Sequence, residues 1–175
     1  MKKLFLLLGI VTAGILSSCE GPAGPQGSTG YSAESEVFEL RNVDFAYDST
    51  HGYNIYRQLN PQILASDVML IYRMSDVINP TTPVWQSIPR TLFLGTNMEL
   101  DYDFDFSKQD FTIYAGGTYD LATTPTYIHN QTFRIVIIPG YFSNKSSAPA
   151  NVDLSDYNAV IRAYHIDDSN VKVLH

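Results

Sequence analysis

The chain of 175 residues contains one cysteine, Cys19. It cannot form an internal disulfide, so a disulfide-stapled scaffold is excluded. Basic residues are scarce: 11 Lys and Arg stand against 18 Asp and Glu, for a formal net charge of −7. That balance speaks against a nucleic-acid binder, which must neutralise phosphates, and against docking on an anionic lipid surface. No apolar run reaches the about 20 residues that a membrane-spanning helix needs. A Gly-x-Ser-x-Gly elbow, a His-Glu-x-x-His helix and a phosphate-cradling glycine loop are all absent. The histidines His51, His129, His165 and His175 are scattered, without metal-ligand spacing.

What is present begins at the N-terminus. Lys2 and Lys3 precede an apolar run over residues 4–15, and Leu16-Ser17-Ser18-Cys19 follows it. The run has the length of a signal-peptide core. Leu16, two small residues and Cys19 resemble the lipobox of bacterial lipoproteins. The resemblance implies that Leu16, Ser17 and Ser18 are read by signal peptidase II. It implies cleavage before Cys19, a diacylglyceryl thioether on the sulfur and acylation of the new amine by a chain such as palmitate. A cysteine is required because the thiolate is the nucleophile. Each buried methylene contributes about 0.8 kcal/mol, so two or three acyl chains anchor firmly where one holds only marginally. Loss of residues 1–18 leaves 157 of the 175 residues and takes Lys2 and Lys3 with it, moving the net charge from −7 to −9. The remaining length suits one domain with a real core.

Residues 19–35 read as the lipidated cysteine and a spacer. Gly21, Gly24, Gly27 and Gly30 keep a three-residue period through Gly-Pro-Ala-Gly-Pro-Gln-Gly. This is the pattern of a collagen repeat, in which only glycine fits the axis. The run holds only three complete triplets and no proline in the third position, too little to trimerise alone, so it reads as an extended polyproline-type spacer. At about 3.1 Å per residue it lifts the following domain some 30–40 Å from the bilayer.

From residue 36 onward the pattern is that of strands. Phe38 and Leu40 share one parity, and Val43, Phe45 and Tyr47 the other; a bulge at Arg41-Asn42 would bring both sets to the core. Tyr53, Ile55, Arg57 and Leu59 alternate. Residues 68–74 and 132–138 are nearly continuous apolar runs, as in strands buried on both faces. Residues 84–88 and 91–94 form two short strands, or one broken at Pro89. In residues 99–106, Leu100, Tyr102, Phe104 and Phe106 alternate with Glu99, Asp101, Asp103 and Asp105; a short turn then leads to the strand at residues 111–114. Residues 120–130 read as loop. Leu154, Tyr157, Val160, Ile161 and Tyr164 fall at helical spacing, with Asp153 or Ser155 as cap and Asp156 in the first turn. A last strand starts at Val171. The expected fold is mainly β: an antiparallel β-sandwich of about seven to nine strands over residues 36–175, with one short C-terminal helix against one end.

Four constellations could carry chemistry. Asp101, Asp103 and Asp105 are the metal candidate, with Ca²⁺ as the ion. They fail the EF-hand pattern, because Phe106 and Thr112 stand where Gly and Glu are needed. Same-face strand residues are about 6.6–6.8 Å apart, so a neighbouring element would have to add ligands. The bland reading is a solvated acidic face that discourages aggregation. Trp85, Tyr119, Tyr127 and Tyr141 could form a sugar-stacking platform, or Trp85 could belong to the core of its strand. Asp48-Ser49-Thr50 resembles the O-glycosylation acceptor of Bacteroidota, with Ser49 as acceptor. Paired carboxylates for glycoside cleavage need a separation of about 5–9 Å in space, which spacing along the chain does not reveal. Arg57, Arg73 and Arg134 lie in strand patterns beside tyrosines, where ion pairs or stacking account for them.

The lipobox, the Gly-Pro-x-Gly spacer and the β-rich domain together resemble a group of uncharacterised, "collagen-like" lipoproteins of Bacteroidota. The segments Val68-Met69-Leu70-Ile71-Tyr72, Trp85 to Pro89, Leu100 to Phe106 and Ser155-Asp156-Tyr157 add to that resemblance. It carries over no catalytic or binding residues. Only Glu20 stands where surface-exported members of that phylum carry an acidic cluster, so the periplasmic and the cell-surface side both stay open. The expectation is a non-enzymatic outer-membrane lipoprotein, held by lipid on Cys19 and meeting an envelope protein or a glycan. The alternatives are a carbohydrate-binding module on the aromatic loops and a carboxylate-dependent glycoside hydrolase.

Overall fold

Asn42 takes the left-handed backbone conformation (φ 54°), which asparagine tolerates better than most residues, and here the chain leaves one sheet for another. The pairing of the first strand shifts register between Leu40 and Val43, and Phe38, Leu40, Val43 and Phe45 are all buried. The bulge expected at Arg41-Asn42 is therefore present. The crossing is held by Asp44, whose carboxylate accepts the Asn130 N–H at 2.7 Å, and by the Phe45 N–H, which donates to the Ile128 carbonyl at 2.8 Å. This computed structural model describes residues 35–140 and 151–174. The expected signal sequence, lipobox and spacer, with Cys19, and Tyr141 of the expected platform fall outside the described residues.

Among the described residues, ten strands and one α-helix follow in order: β1 (Glu36–Val43), β2 (Ala46–Asp48), β3 (Gly52–Gln58), β4 (Val68–Asn79), β5 (Thr82–Ile88), β6 (Arg90–Gly95), β7 (Met98–Phe106), β8 (Asp110–Gly117), β9 (Gln131–Ile138), α1 (Tyr157–Ala163) and β10 (Lys172–Leu174). They make two five-stranded sheets, with orders β10-β1-β9-β4-β5 and β2-β3-β8-β7-β6. All pairings are antiparallel except β10 on β1. The fold is the expected mainly-β sandwich with one short helix, and its strand count exceeds the expected range by one. Pro89 ends β5, and β5 and β6 fall in different sheets. The segment at 120–130 contains two single turns of 3-10 helix, Leu121–Thr123 and Pro125–Tyr127, the first capped by the Asp120 side chain.

The inner core joins both sheets. Phe38, Leu40, Ile71, Phe133 and Ile135 from the first meet Ile55, Leu100, Tyr102, Phe111 and Ile113 from the second. Phe45 stands edge-on to Phe133 at 6.0 Å and tilted on Tyr102 at 6.0 Å, so the crossing residue is a keystone between the layers. Each such large side chain contributes about 1.5–3 kcal/mol by leaving water.

The continuous apolar runs are explained by a second core. Tyr72, Val136 and Ile138 point to the outer face of the first sheet, where Tyr157, Val160 and Ile166 cover them. The helix therefore lies over a sheet face, not against one end of the sandwich as its late position suggested. Its cap also differs: the Asp156 side chain accepts the Ala159 N–H at 3.2 Å, so Asp156 is the N-cap rather than a first-turn residue. Asp153 instead closes the preceding turn by accepting from Ser155. Two further inward assignments are corrected. Tyr47 is 69% exposed on β2, a three-residue edge strand, and meets the Tyr53 ring edge-on at 5.2 Å. Phe106 is 41% exposed and lies stacked on Phe104 at the end of β7 beyond Tyr102, where the pairing with β6 has stopped.

Candidate functional site

Two faces of the sandwich carry the side chains of interest. The first is the face beneath α1. Glu39 on β1 and Arg134 on β9 are paired in register, which places both side chains under the helix. Arg134 Nε donates to Glu39 Oε1 at 2.6 Å. Its Nη1 donates to Asp168 Oδ2 at 3.1 Å and to the Tyr157 hydroxyl. The same hydroxyl donates to Asp168 Oδ2 at 2.7 Å. Glu39 is 3% exposed and also accepts from Arg41 Nε. The guanidinium lies over the Trp85 ring at 4.6 Å and the Tyr157 ring at 5.0 Å. Burial works to lower the Arg134 pKa, but the Glu39 bond and the neighbouring Tyr157 outweigh it and raise it. Burial pushes the Tyr157 phenol above its ordinary value, and the bond to Asp168 adds to this. The phenol stays neutral and can donate, which the network needs.

Trp85 is half-buried at the rim of this cluster. Beside it lies an open groove of about 390 Å³, lined by Ile78, Thr82, Pro83, Val84, Trp85, Asp156, Tyr157 and Asn158. The groove is lined by the Trp85 indole, the polar side chains of Thr82, Asp156 and Asn158, and the apolar Ile78, Pro83 and Val84. Trp85 thus serves partly as core and partly as surface. Tyr119 and Tyr127 are not its neighbours: both pack against the inner core, between the sheets. The Tyr119 hydroxyl meets Thr124 Oγ1 at 2.7 Å, and the Tyr127 carbonyl accepts from the Tyr102 hydroxyl at 2.7 Å. The platform expected from Trp85, Tyr119 and Tyr127 is therefore split between two cores on opposite faces of one sheet, and Tyr141 lies outside the described residues.

The second face is the outer side of the sheet β2-β3-β8-β7-β6. Glu99, Asp101, Asp103 and Asp105 project from β7, which lies inside the sheet between β8 and β6. Thr91 donates to Asp101 at 2.5 Å, the Phe104 N–H to Asp103 at 2.8 Å and the Tyr114 hydroxyl to Asp105 at 3.0 Å. Among the described residues, no three His, Cys, Asp or Glu side chains are grouped to hold a metal ion. Ser49 stands in the exposed turn between β2 and β3, where Asp48 accepts the N–H groups of Thr50 and His51 at 2.8 Å each. Those bonds hold the Asp48 pKa below its ordinary value. Arg73 lies 4.7 Å over Tyr102 and donates to Gln131 at 2.8 Å, so stacking accounts for it. The Arg57 Nη1 donates to the Tyr56 carbonyl at 2.8 Å, while its buried Nε has no partner among the described residues.

The network around Arg134 was missed as a unit by sequence reasoning. Its only local signal was the charge of Arg134 within the nearly continuous apolar run at residues 132–138; Glu39, alternating with Phe38 and Leu40, reads as an ordinary solvent-facing residue. Comparison with protein-family models, curated proteins and solved structures finds no match.

Proposed function

We propose that this protein is an outer-membrane lipoprotein, held by lipid on Cys19, whose β-sandwich acts as a non-enzymatic binding or structural module of the envelope. The observation that carries the reading is the register of Lys2-Lys3, the apolar run 4–15 and Leu16-Ser17-Ser18-Cys19. A second support is the start of β1 at Glu36, directly after the Gly/Pro spacer, so that the anchor and the folded module are separate parts. Palmitate labelling of the full chain in its host is the test. Label and membrane association are expected in the wild type and lost in Cys19→Ala. A Cys19→Ala chain that stays wholly in the membrane fraction would end the lipid-anchor reading. Protease treatment of intact cells then assigns the side: digestion places the domain on the surface, and protection until the envelope is opened places it in the periplasm.

A second reading is favoured by one observation, the groove beside Trp85. An indole flanked by Thr82, Asp156 and Asn158 suits a sugar ring, stacking on its face and bonding its hydroxyls. Trp85 also stacks on Arg134, so its removal would disturb folding; Asn158→Ala leaves that stack intact. Binding on a glycan array is expected to weaken about tenfold, or about 1.4 kcal/mol, in Trp85→Ala and in Asn158→Ala alike. Glycan binding that is unchanged in both, or absent in the wild type, rejects this reading.

A further inference from the structure

A β-sandwich with open sheets has four edges, and each is a template for strand addition unless something blunts it. Three edges here are blunted. β2 and β10 are three residues long. β5 carries Pro83, is paired irregularly with β4 and packs against α1. The fourth edge, β6, reads Arg-Thr-Leu-Phe-Leu-Gly and has a strand on one side only among the described residues. It pairs regularly with β7 from Arg90 to Phe93 and shifts register only beyond it. It holds no proline and no lysine, and Phe93 is 77% exposed at its centre.

The register states what lies beside that edge. Phe93 is opposite Glu99, and Thr91 opposite Asp101, so the outward row of β6 adjoins the acidic row of β7. Asp103 and Asp105 continue that row, and Asp110 and Asp48 lie on the same outer face. No Lys or Arg occupies an outward position of these strands: Arg57 and Arg90 fall on the inward parity, opposite Phe111 and Tyr102. A second copy pairing through β6 would bring two acidic rows together. An added strand with basic outward residues would instead complement them.

We propose that β6 is a docking edge for an extended segment of a partner protein that carries Lys or Arg at alternate positions. The partner strand would lie about 4.8 Å from β6 and about 10 Å from β7, a gap that a lysine stem and a carboxylate close between them. Its apolar row would pack beside Leu92 and Leu94, whose side chains are half-buried against the inner core. Main-chain bonds supply affinity and the side-chain rows supply selectivity. This deepens the reading of the domain as a binding module, and names the chemistry of its partner.

The test uses the full lipoprotein in detergent micelles and two synthetic eight-residue peptides, one alternating Lys with Val and one alternating Glu with Val. The Lys–Val peptide is expected to bind, to protect the amides of residues 90–95 from hydrogen exchange, and to weaken about tenfold when salt is raised from low to high concentration. Phe93→Lys places a like charge on the edge at an exposed site, so it is expected to abolish binding with the melting temperature unchanged. Equal binding of both peptides, protection outside β6, unchanged affinity in Phe93→Lys, no binding, or dimerisation through β6 overturns the proposal. Membrane fractionation of Cys19→Ala reads the anchor independently, so either idea can fail while the other stands.

Discussion

Replacing Arg134 by alanine is expected to lower the unfolding free energy by about 3 kcal/mol, at the low end of the range for breaking a buried ion pair. The melting temperature of the domain should drop by about 10 °C. The reason is the company Arg134 keeps. It bonds Glu39, which is 3% exposed, and ties that strand residue to Asp168 and Tyr157 of the C-terminal segment. Without it the Glu39 carboxylate keeps only Arg41, whose side chain is 53% exposed. Trp85 and Tyr157 lose the guanidinium between them. The double variant Arg134→Met with Glu39→Gln is expected to be more stable than Arg134→Ala alone, because it leaves no buried charge unpaired. Thermal melts of the three proteins decide it. A loss below about 1 kcal/mol in Arg134→Ala would show that α1 is held by its apolar contacts alone.

Alkaline unfolding is the second large effect. Burial raises the pKa of Tyr72, Tyr102 and Tyr157, that of Tyr102 to about 12. Their ordinary value is 10.0, which the unfolded chain recovers. Below pH 10 all three are neutral in both states, and the stability they contribute is fully present. Above it the unfolded chain loses protons that the folded chain keeps, so stability falls as pH rises through this window. Well above pH 10 each tyrosine costs about 1.4 kcal/mol per pH unit; between pH 10 and 11, where the unfolded phenols are only partly ionised, the three together cost about 3 kcal/mol. Deprotonation also removes the bonds donated to the Leu154 and Tyr127 carbonyls and to Asp168. Tyrosinate absorbance followed beside near-ultraviolet dichroism should show an exposed set of the 12 tyrosines titrating first, then a cooperative rise with loss of packing. Tyr72→Phe should shift that midpoint upward. A single titration of all tyrosines near pH 10 with dichroism unchanged would contradict the burial of these phenols.

Much of the sandwich was legible because a strand declares its burial locally. Residues 68–74 and 132–138 read as covered on both faces, and β4 and β9 are the strands squeezed between the inner core and α1. The bulge at Arg41-Asn42 was legible from a change of parity. Alternation stops being informative where the core ends. Tyr47 and Phe106 continue the apolar rhythm of their strands, yet both are exposed, Tyr47 on the three-residue edge β2 and Phe106 beyond the part of β7 that pairs with β6. Spacing also misled at the aromatic platform. Trp85, Tyr119 and Tyr127 are all near turns, but β5 and the 120–130 segment deliver them to different faces of the same sheet.

The sequence by itself determined the patterns that need no fold: the charged start, the apolar run, the single cysteine after Leu16-Ser17-Ser18, the glycine period and the alternation of each strand. These depend on neighbours along the chain, where order alone sets the chemistry. Only the tertiary structure decided which strands share a sheet, that α1 lies over a face, that Glu39, Arg134, Tyr157 and Asp168 form one network, and that β6 ends its sheet among the described residues. Each of these joins residues tens of positions apart. Such contacts are chosen by the packing of whole layers, and no local pattern carries that information.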